Sequence, residues 1–258
     1  MPNRIVFASN KGGVGKTTST AMCAKILSEA GYKVLAVDLD NQGNLTRILT
    51  GDSVYKYTGK TIMEAIQTGD AAPYIVKVNN TLDIIPAEER LSTFSRYIYT
   101  SKIENPSAVI KRLLGSIEAR YDFVFLDVGP TIGDTVVNAV VYSDYVFIPV
   151  DLGDLSMEGM VRFIEFVETT ASAGHSSAEV AGILMTMKDG RIKSEREIGE
   201  TLREAYGGLV FDAEIRRRAR VKEIASKGID INDPSADDYL SLTEEIIARL
   251  NGKEASLL

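Results

Sequence analysis

The sequence predicts an α/β fold: a mostly parallel twisted sheet with helices packed on both faces. Three observations carry that expectation. Short β-branched runs recur that are apolar on both faces, they alternate with segments of helical periodicity, and a glycine-rich loop joins the first run to the first helix. In order, Arg4-Ile5-Val6-Phe7-Ala8 reads as a buried strand, and Thr17 to Ala30 as a helix closed by Gly31. Lys33 to Asp38 reads as a second strand and Leu82 to Ile85 as a short later one. Phe123 to Asp127, Tyr145 to Val150 and Val180 to Met185 follow as further strands, with a weaker candidate at Gly208 to Phe211. Helical patterns between and after them include Ser107 to Glu118, Met157 to Thr170, Ser194 to Tyr206 and Tyr239 to Leu250. In sheets of this kind ligands bind beyond the carboxyl ends of the strands.

The 258 residues show no repeat, low-complexity tract or linker, so residues 1–258 are expected to form a single domain. Composition excludes several classes. One cysteine, Cys23, rules out an intramolecular disulfide framework and a cysteine-rich metal site within one chain. His175 is the only histidine, lies in a loop-like stretch and receives no role. No apolar run approaches a membrane span, and the N-terminus enters a strand without the regions of a signal peptide, so a cytoplasmic location is expected. The net charge is −7, so nucleic-acid binding would need a local patch.

The stretch Ser9 to Thr18, SNKGGVGKTT, has the strand–loop–helix context of a P-loop. Gly12, Gly13 and Gly15 let backbone N–H groups crowd around phosphate oxygens, Val14 and Thr18 complete the cradle, and the helix N-terminus adds a favourable dipole. Lys16 is placed to meet the β- and γ-phosphates and Thr17 to ligate Mg²⁺. The common pattern G-x-x-x-x-G-K-[ST] would put its first glycine at Asn10. Lys11 is a second lysine that one nucleotide does not require. A side chain at the loop entrance tends to point outward, so Lys11 is expected to reach the nucleotide of a second subunit across an ATP-dependent dimer.

Two acids spaced i, i+2, Asp38 and Asp40, close the second strand, and Asp127 closes the apolar run from Phe123 in the arrangement that holds Mg²⁺ through water. These motifs together resemble the ParA/MinD family of ATPases with the deviant Walker A motif, over nearly the whole chain. Lys11-Gly12-Gly13-Val14-Gly15-Lys16-Thr17-Thr18 is similar to that motif, and Asp38 to Thr46 looks like the family's D-x-D-P-Q-G-N-x-T switch with Asn41 in place of proline. Val128 to Gly133 resembles C-P-P-S-L-G with Gly129 in place of one proline. The resemblance implies a P-loop NTPase fold and slow Mg²⁺-dependent ATP hydrolysis used as a switch. It implies catalytic Lys11, Lys16 and Asp40, with Asp40 positioning the attacking water, and a metal site of Thr17, Asp127 and a supporting Asp38.

The C-terminal third bears on purpose. Ile215 to Lys222 packs five cations into eight residues of an acidic chain. Such a run reads either as a solvated, salt-bridged helix face or as a patch that binds phosphate backbones without reading sequence. It is similar to the segment that ParA-type partition proteins use for non-specific DNA binding, with both of that segment's prolines lost. The resemblance implies DNA contacts from Arg191, Arg216, Arg217, Arg218, Arg220 and Lys222, and places Met187 and the Ile215-Arg216 loop near the adenine. It further implies a homodimer on ATP binding, non-specific DNA as one partner, and a ParB-like centromere-binding protein that stimulates hydrolysis and release. A separate N-terminal DNA-reading domain is not expected, because the P-loop begins within ten residues of Met1. The alternatives are a ParA-like ATPase that positions protein cargo and a MinD-like membrane regulator. The mixed charges from Glu244 to Leu258 argue against stable membrane contact, and a cluster-bridging iron–sulfur relative lacks its thiols.

Overall fold

The computed structural model describes residues 1–154, 157–173, 176–189, 191–217 and 229–251. Seven strands form one sheet: β1 (Asn3–Phe7), β2 (Val34–Leu39), β3 (Val76–Lys77), β4 (Leu82–Ile85), β5 (Phe123–Val128), β6 (Tyr145–Asp151) and β7 (Glu179–Thr186). Their spatial order is β3-β4-β2-β5-β1-β6-β7. Every pairing is parallel except that of the two-residue edge strand β3 with β4.

The helices described are α1 (Lys16–Glu29), α2 (Asn44–Thr50), α3 (Ile62–Thr68), α4 (Phe94–Thr100), α5 (Val109–Gly115), α6 (Asp134–Tyr142), α7 (Met157–Ser172), α8 (Lys193–Tyr206) and α9 (Asp237–Asn251). The expected helix from Ser107 to Glu118 is cut down to α5, because its two ends are wound as 3₁₀ turns, Pro106–Ala108 and Glu118–Arg120.

Strict alternation along the strands builds two cores. Val6, Leu35, Val37, Val124 and Leu126 face one side and pack with residues of α3 to α7. Ile5, Phe7, Val34, Ala36, Phe123, Phe125 and Phe147 face the other and pack with α1, α2 and α9. Both faces of the central strands are therefore dry, which is why these runs are apolar throughout rather than alternating with polar residues.

The weak strand candidate at Gly208 to Phe211 is not a strand. Gly207–Leu209 forms a 3₁₀ turn, and Val210 makes a single parallel bridge to Ile183. The ring of Phe211 occupies the space over Gly182, where a Cβ would lie 2.2 Å from Phe211 Cε2, and the Arg249 guanidinium covers the ring at 4.0 Å.

Candidate nucleotide site

The order of the strands places β1 between β5 and β6, so the loop after β1 opens beside the carboxyl ends of β2, β5, β6 and β7. The turn from Ser9 to Gly15 needs left-handed backbone at Gly13 (φ 76°) and Gly15 (φ 85°), after which α1 starts at once with Lys16. A cleft of about 310 Å³ lies over this loop, lined by Gly12, Gly13, Gly15, Lys16, Thr17, Thr18, Asp40, Asn44, Val128, Pro130 and Met187. Lys16 is buried, and its ammonium donates to the carbonyl of Lys11 at 2.6 Å. Burial lowers the pKa of Lys16, and the charges of Asp127 and Asp40 offset this in part. Half-buried Lys11 borders a separate small cavity of about 40 Å³ on the other side of the loop, with Pro149, Asp151 and Met160.

Asp38 and Asp127 stand level with each other on the neighbouring strands β2 and β5, and both are fully buried. Their hydrogen bonding differs. The Asp38 carboxylate accepts from Thr46 N–H (2.9 Å), Thr46 Oγ1 (2.7 Å) and Asp40 N–H (3.1 Å). Burial pushes Asp38 up to about 6, against the opposing pull of the bonds from Thr46 and Asp40. Neither oxygen of Asp127 makes a well-formed hydrogen bond. Burial first, and the charge of Asp38 second, hold Asp127 well above the usual carboxylate range. The nearby Thr17 hydroxyl and Lys16 offset this only in part.

A buried carboxylate with unmatched lone pairs beside a threonine hydroxyl and a phosphate-sized cleft is a donor set for a hard cation. Mg²⁺ fits it, because that ion takes few protein oxygens and fills its remaining positions with water and phosphate. Asp38, expected to support the metal site, has its lone pairs engaged within the fold. Its carboxylate serves the start of α2 and the Asp40 turn, and it supports the site from behind.

Asp40 is the wall between two clefts. Its Oδ1 accepts from Gln42 N–H at 3.0 Å, and it faces both the phosphate cleft and a second cleft of about 240 Å³ shared with Ser95, Gly129 and Thr131. A Cβ at Gly129 would lie 3.7 Å from the Asp40 carboxylate, in ordinary contact.

Of the three residues expected near the base, Met187 lines the phosphate cleft, with its backbone held at φ 55°. Such a conformation is uncommon outside glycine and marks local strain. Ile215 and Arg216 stand where the end of β7 meets α9. Ile215 is packed in the core under α9, with its N–H bonded to Met185 O at 2.9 Å. Arg216 pairs through its guanidinium and its backbone N–H with Asp238 at the start of α9.

The described cations of the basic run are likewise engaged. Arg217 donates to Met187 O at 3.2 Å and lies 3.6 Å from Asp151. Arg191, 90% exposed, forks onto Asp189 at 2.9 and 2.8 Å and holds that acid down to about 2. Exposed pairs of this kind are weak, so a phosphate can displace the acid at little cost. Arg218, Arg220, Lys222 and His175 lie outside the described residues. Among the described residues no helix is long and apolar enough to cross a membrane.

One residue of the site escaped sequence reasoning. Thr186, the last residue of β7, is buried, and its hydroxyl lies 2.9 Å from the Val14 carbonyl and 3.1 Å from that of Val150.

Comparison with known proteins agrees with this geometry. A family described as an AAA domain matches residues 3–180. The chromosome partitioning protein ParA of Caulobacter vibrioides is 29% identical over 261 residues, covering 97% of this chain and 96% of that protein. The sporulation initiation inhibitor protein Soj of Bacillus subtilis is 30% identical over 252 residues, covering 95% and 98%. Among solved structures, a putative plasmid partition protein from Borrelia burgdorferi bound to AMPPNP superposes with a TM-score of 0.83 at 27% identity, covering 96% of this chain and all of that one. Cobyrinic acid a,c-diamide synthase from Mycobacterium smegmatis, with ATP analog and magnesium, shares the fold with a TM-score of 0.85 at 22% identity, covering 98% of each chain.

Proposed function

The chain belongs to the ParA/Soj family of P-loop ATPases, and from that premise we propose that it is a partition ATPase whose nucleotide state sets its hold on DNA. The observation that carries the reading is the convergence of Lys16, Thr17, Asp40 and the unmatched buried carboxylate of Asp127 at one end of the sheet. Thr17 and Asp127 would hold Mg²⁺ together with the triphosphate, and the ion would supply charge neutralisation on the phosphate oxygens. Lys16 exchanges its bond to the Lys11 carbonyl for phosphate oxygens. Asp40, in the wall of the cleft, orients the attacking water. Lys11 reaches the phosphates of a second copy, so that the homodimer forms only around ATP.

In the dimer the two basic segments, with Arg191, Arg217, Arg218, Arg220 and Lys222 in each, act together on DNA. The second contact gains from effective concentration, and salt weakens the whole. A ParB-like centromere-binding partner stimulates hydrolysis and ends the hold. DNA co-sedimentation with ATP, ADP and no nucleotide tests this, with wild type beside Arg220→Ala. Retention with ATP alone, lost in the variant, is the expected result; equal retention with ADP rejects the switch.

A second reading, positioning of protein cargo, draws on the carboxylate partners already held by Arg191, Arg216 and Arg217. It predicts an ATP-dependent dimer with no ATP-dependent DNA retention in the same assay.

A further inference from the structure

The phosphate loop is held from outside by a residue from the far end of the fold. Thr186 is the last residue of β7, and its hydroxyl sits between two carbonyls, Val14 O of the loop at 2.9 Å and Val150 O of β6 at 3.1 Å. A hydroxyl carries one proton, so it serves one carbonyl at a time and draws both toward itself. The residue is 1% exposed, so water is not a ready substitute for either contact.

The peptide bond that carries the Val14 carbonyl also carries the Gly15 N–H. The unit is planar and trans, so the two groups point in opposite directions. Fixing the carbonyl toward Thr186 therefore fixes the N–H of Gly15 on the opposite side. Gly15 lines the phosphate cleft and stands at φ 85°, where the absence of a Cβ leaves its peptide plane soft. A Cβ built on Gly15 would touch Thr186 Cγ2 at 3.9 Å, so the threonine methyl bounds the same turn that its hydroxyl holds.

We propose that Thr186 is a positioning residue for nucleotide binding: its hydroxyl grips the Val14 carbonyl and so aims the Gly15 N–H at the phosphates. The contact joins the carboxyl ends of β6 and β7 to the loop, and it organises the donor before a ligand arrives.

The test compares Thr186→Val, which keeps shape and loses the hydroxyl, with Thr186→Ser, which keeps the hydroxyl and loses the methyl. Binding of Mg·ATP and Mg·ADP is measured by titration calorimetry, steady-state ATP hydrolysis gives KM and kcat, and melting reports integrity. The valine variant is expected to weaken ATP and ADP alike by about tenfold, the worth of one buried hydrogen bond. Its KM rises by the same factor while kcat stays within about threefold, as removal of uniform binding requires. The serine variant stays within about twofold of wild type in affinity. A valine variant that melts lower yet binds both nucleotides within about twofold of wild type overturns the proposal, because the contact is then structural alone. Should the valine variant not fold, Thr186→Ala and Thr186→Ser carry the comparison, since both lack the methyl and differ in the hydroxyl. A serine variant that binds tenfold better than the alanine variant supports the assignment, and equal affinities overturn it.

Discussion

Replacing Thr46 by valine tests how the buried acid behind the site is kept in place. The Thr46 hydroxyl donates to Asp38 Oδ2 at 2.7 Å and accepts from Ala87 N–H at 3.0 Å, and Thr46 and Asp38 are fully buried. Valine keeps the volume and removes both bonds. Loss of a hydrogen bond to a charged group costs about 1.5–3 kcal/mol, and a buried N–H left unsatisfied about 1–3 kcal/mol. The sum is about 2.5–6 kcal/mol, or a melting temperature lower by about 5–25 °C for a chain of this size. Thr46→Ser keeps the hydroxyl and is expected to lose less than about 1.5 kcal/mol.

The penalty depends on pH. Asp38 is raised to about 6 in the folded protein, above its unfolded value near 3.8. Its contribution to wild-type stability is fully present below the unfolded value and is lost as pH rises through about 6. Thr46→Val removes a bond to the ionised form. The variant's deficit is therefore smallest near pH 4.5 and complete by pH 7.5. Thermal melts of both variants across that range are the assay. A valine variant within about 2 °C of wild type at pH 7.5, or a large deficit that does not change with pH, refutes the reasoning.

Asp127→Asn is expected to raise the melting temperature measured without Mg²⁺, since it replaces a buried acid whose ionisation burial and Asp38 oppose, and to cut the Mg²⁺ enhancement of ATP affinity by about tenfold or more; melting and titration with and without Mg²⁺ check both halves. Lys16→Met is expected to weaken ATP by about 100-fold or more, seen as loss of the ATP-induced rise in melting temperature. Gly182→Ala pushes a methyl into the Phe211 ring and is expected to cost about 1–3 kcal/mol in denaturant melts, with part of the loss recovered in the double variant with Phe211→Leu.

Much of the fold was legible because its central strands are buried on both faces. Runs such as Phe123 to Leu126 and Val146 to Val150 have no polar member to blur them. The short helices α2, α3 and α4 left no comparable trace, since seven residues span barely two turns and set up little periodicity. The chain reversal into α3 rests on a local device, the Thr61 hydroxyl accepting from Met63 N–H and Glu64 returning to Thr61 N–H. Gly208 to Phe211 misled because its apolar residues serve packing over Gly182 rather than a ladder.

In the site, the phosphate loop was readable because its glycines and lysine answer one chemical demand. Asp38 was harder to read: spacing shows where an acid stands along a strand, but not that three donors already occupy it. Ile215 and Arg216 show the same limit from the other direction. Their surroundings follow from the docking of α9, to which Arg216 is tied through Asp238. Thr186 was invisible because the carbonyl it grips belongs to a residue near the opposite terminus.

Because Asp38 and Asp127 are register partners, a slip of one residue between β2 and β5 would leave the two acids on opposite faces of the sheet. Nucleotide recognition therefore has no partial form. It arises only once two segments far apart in the chain have zipped in the correct phase, a slow, non-local event. Added ATP should leave the rate of refolding almost untouched and act instead as a brake on unfolding, rewarding molecules that have already arrived.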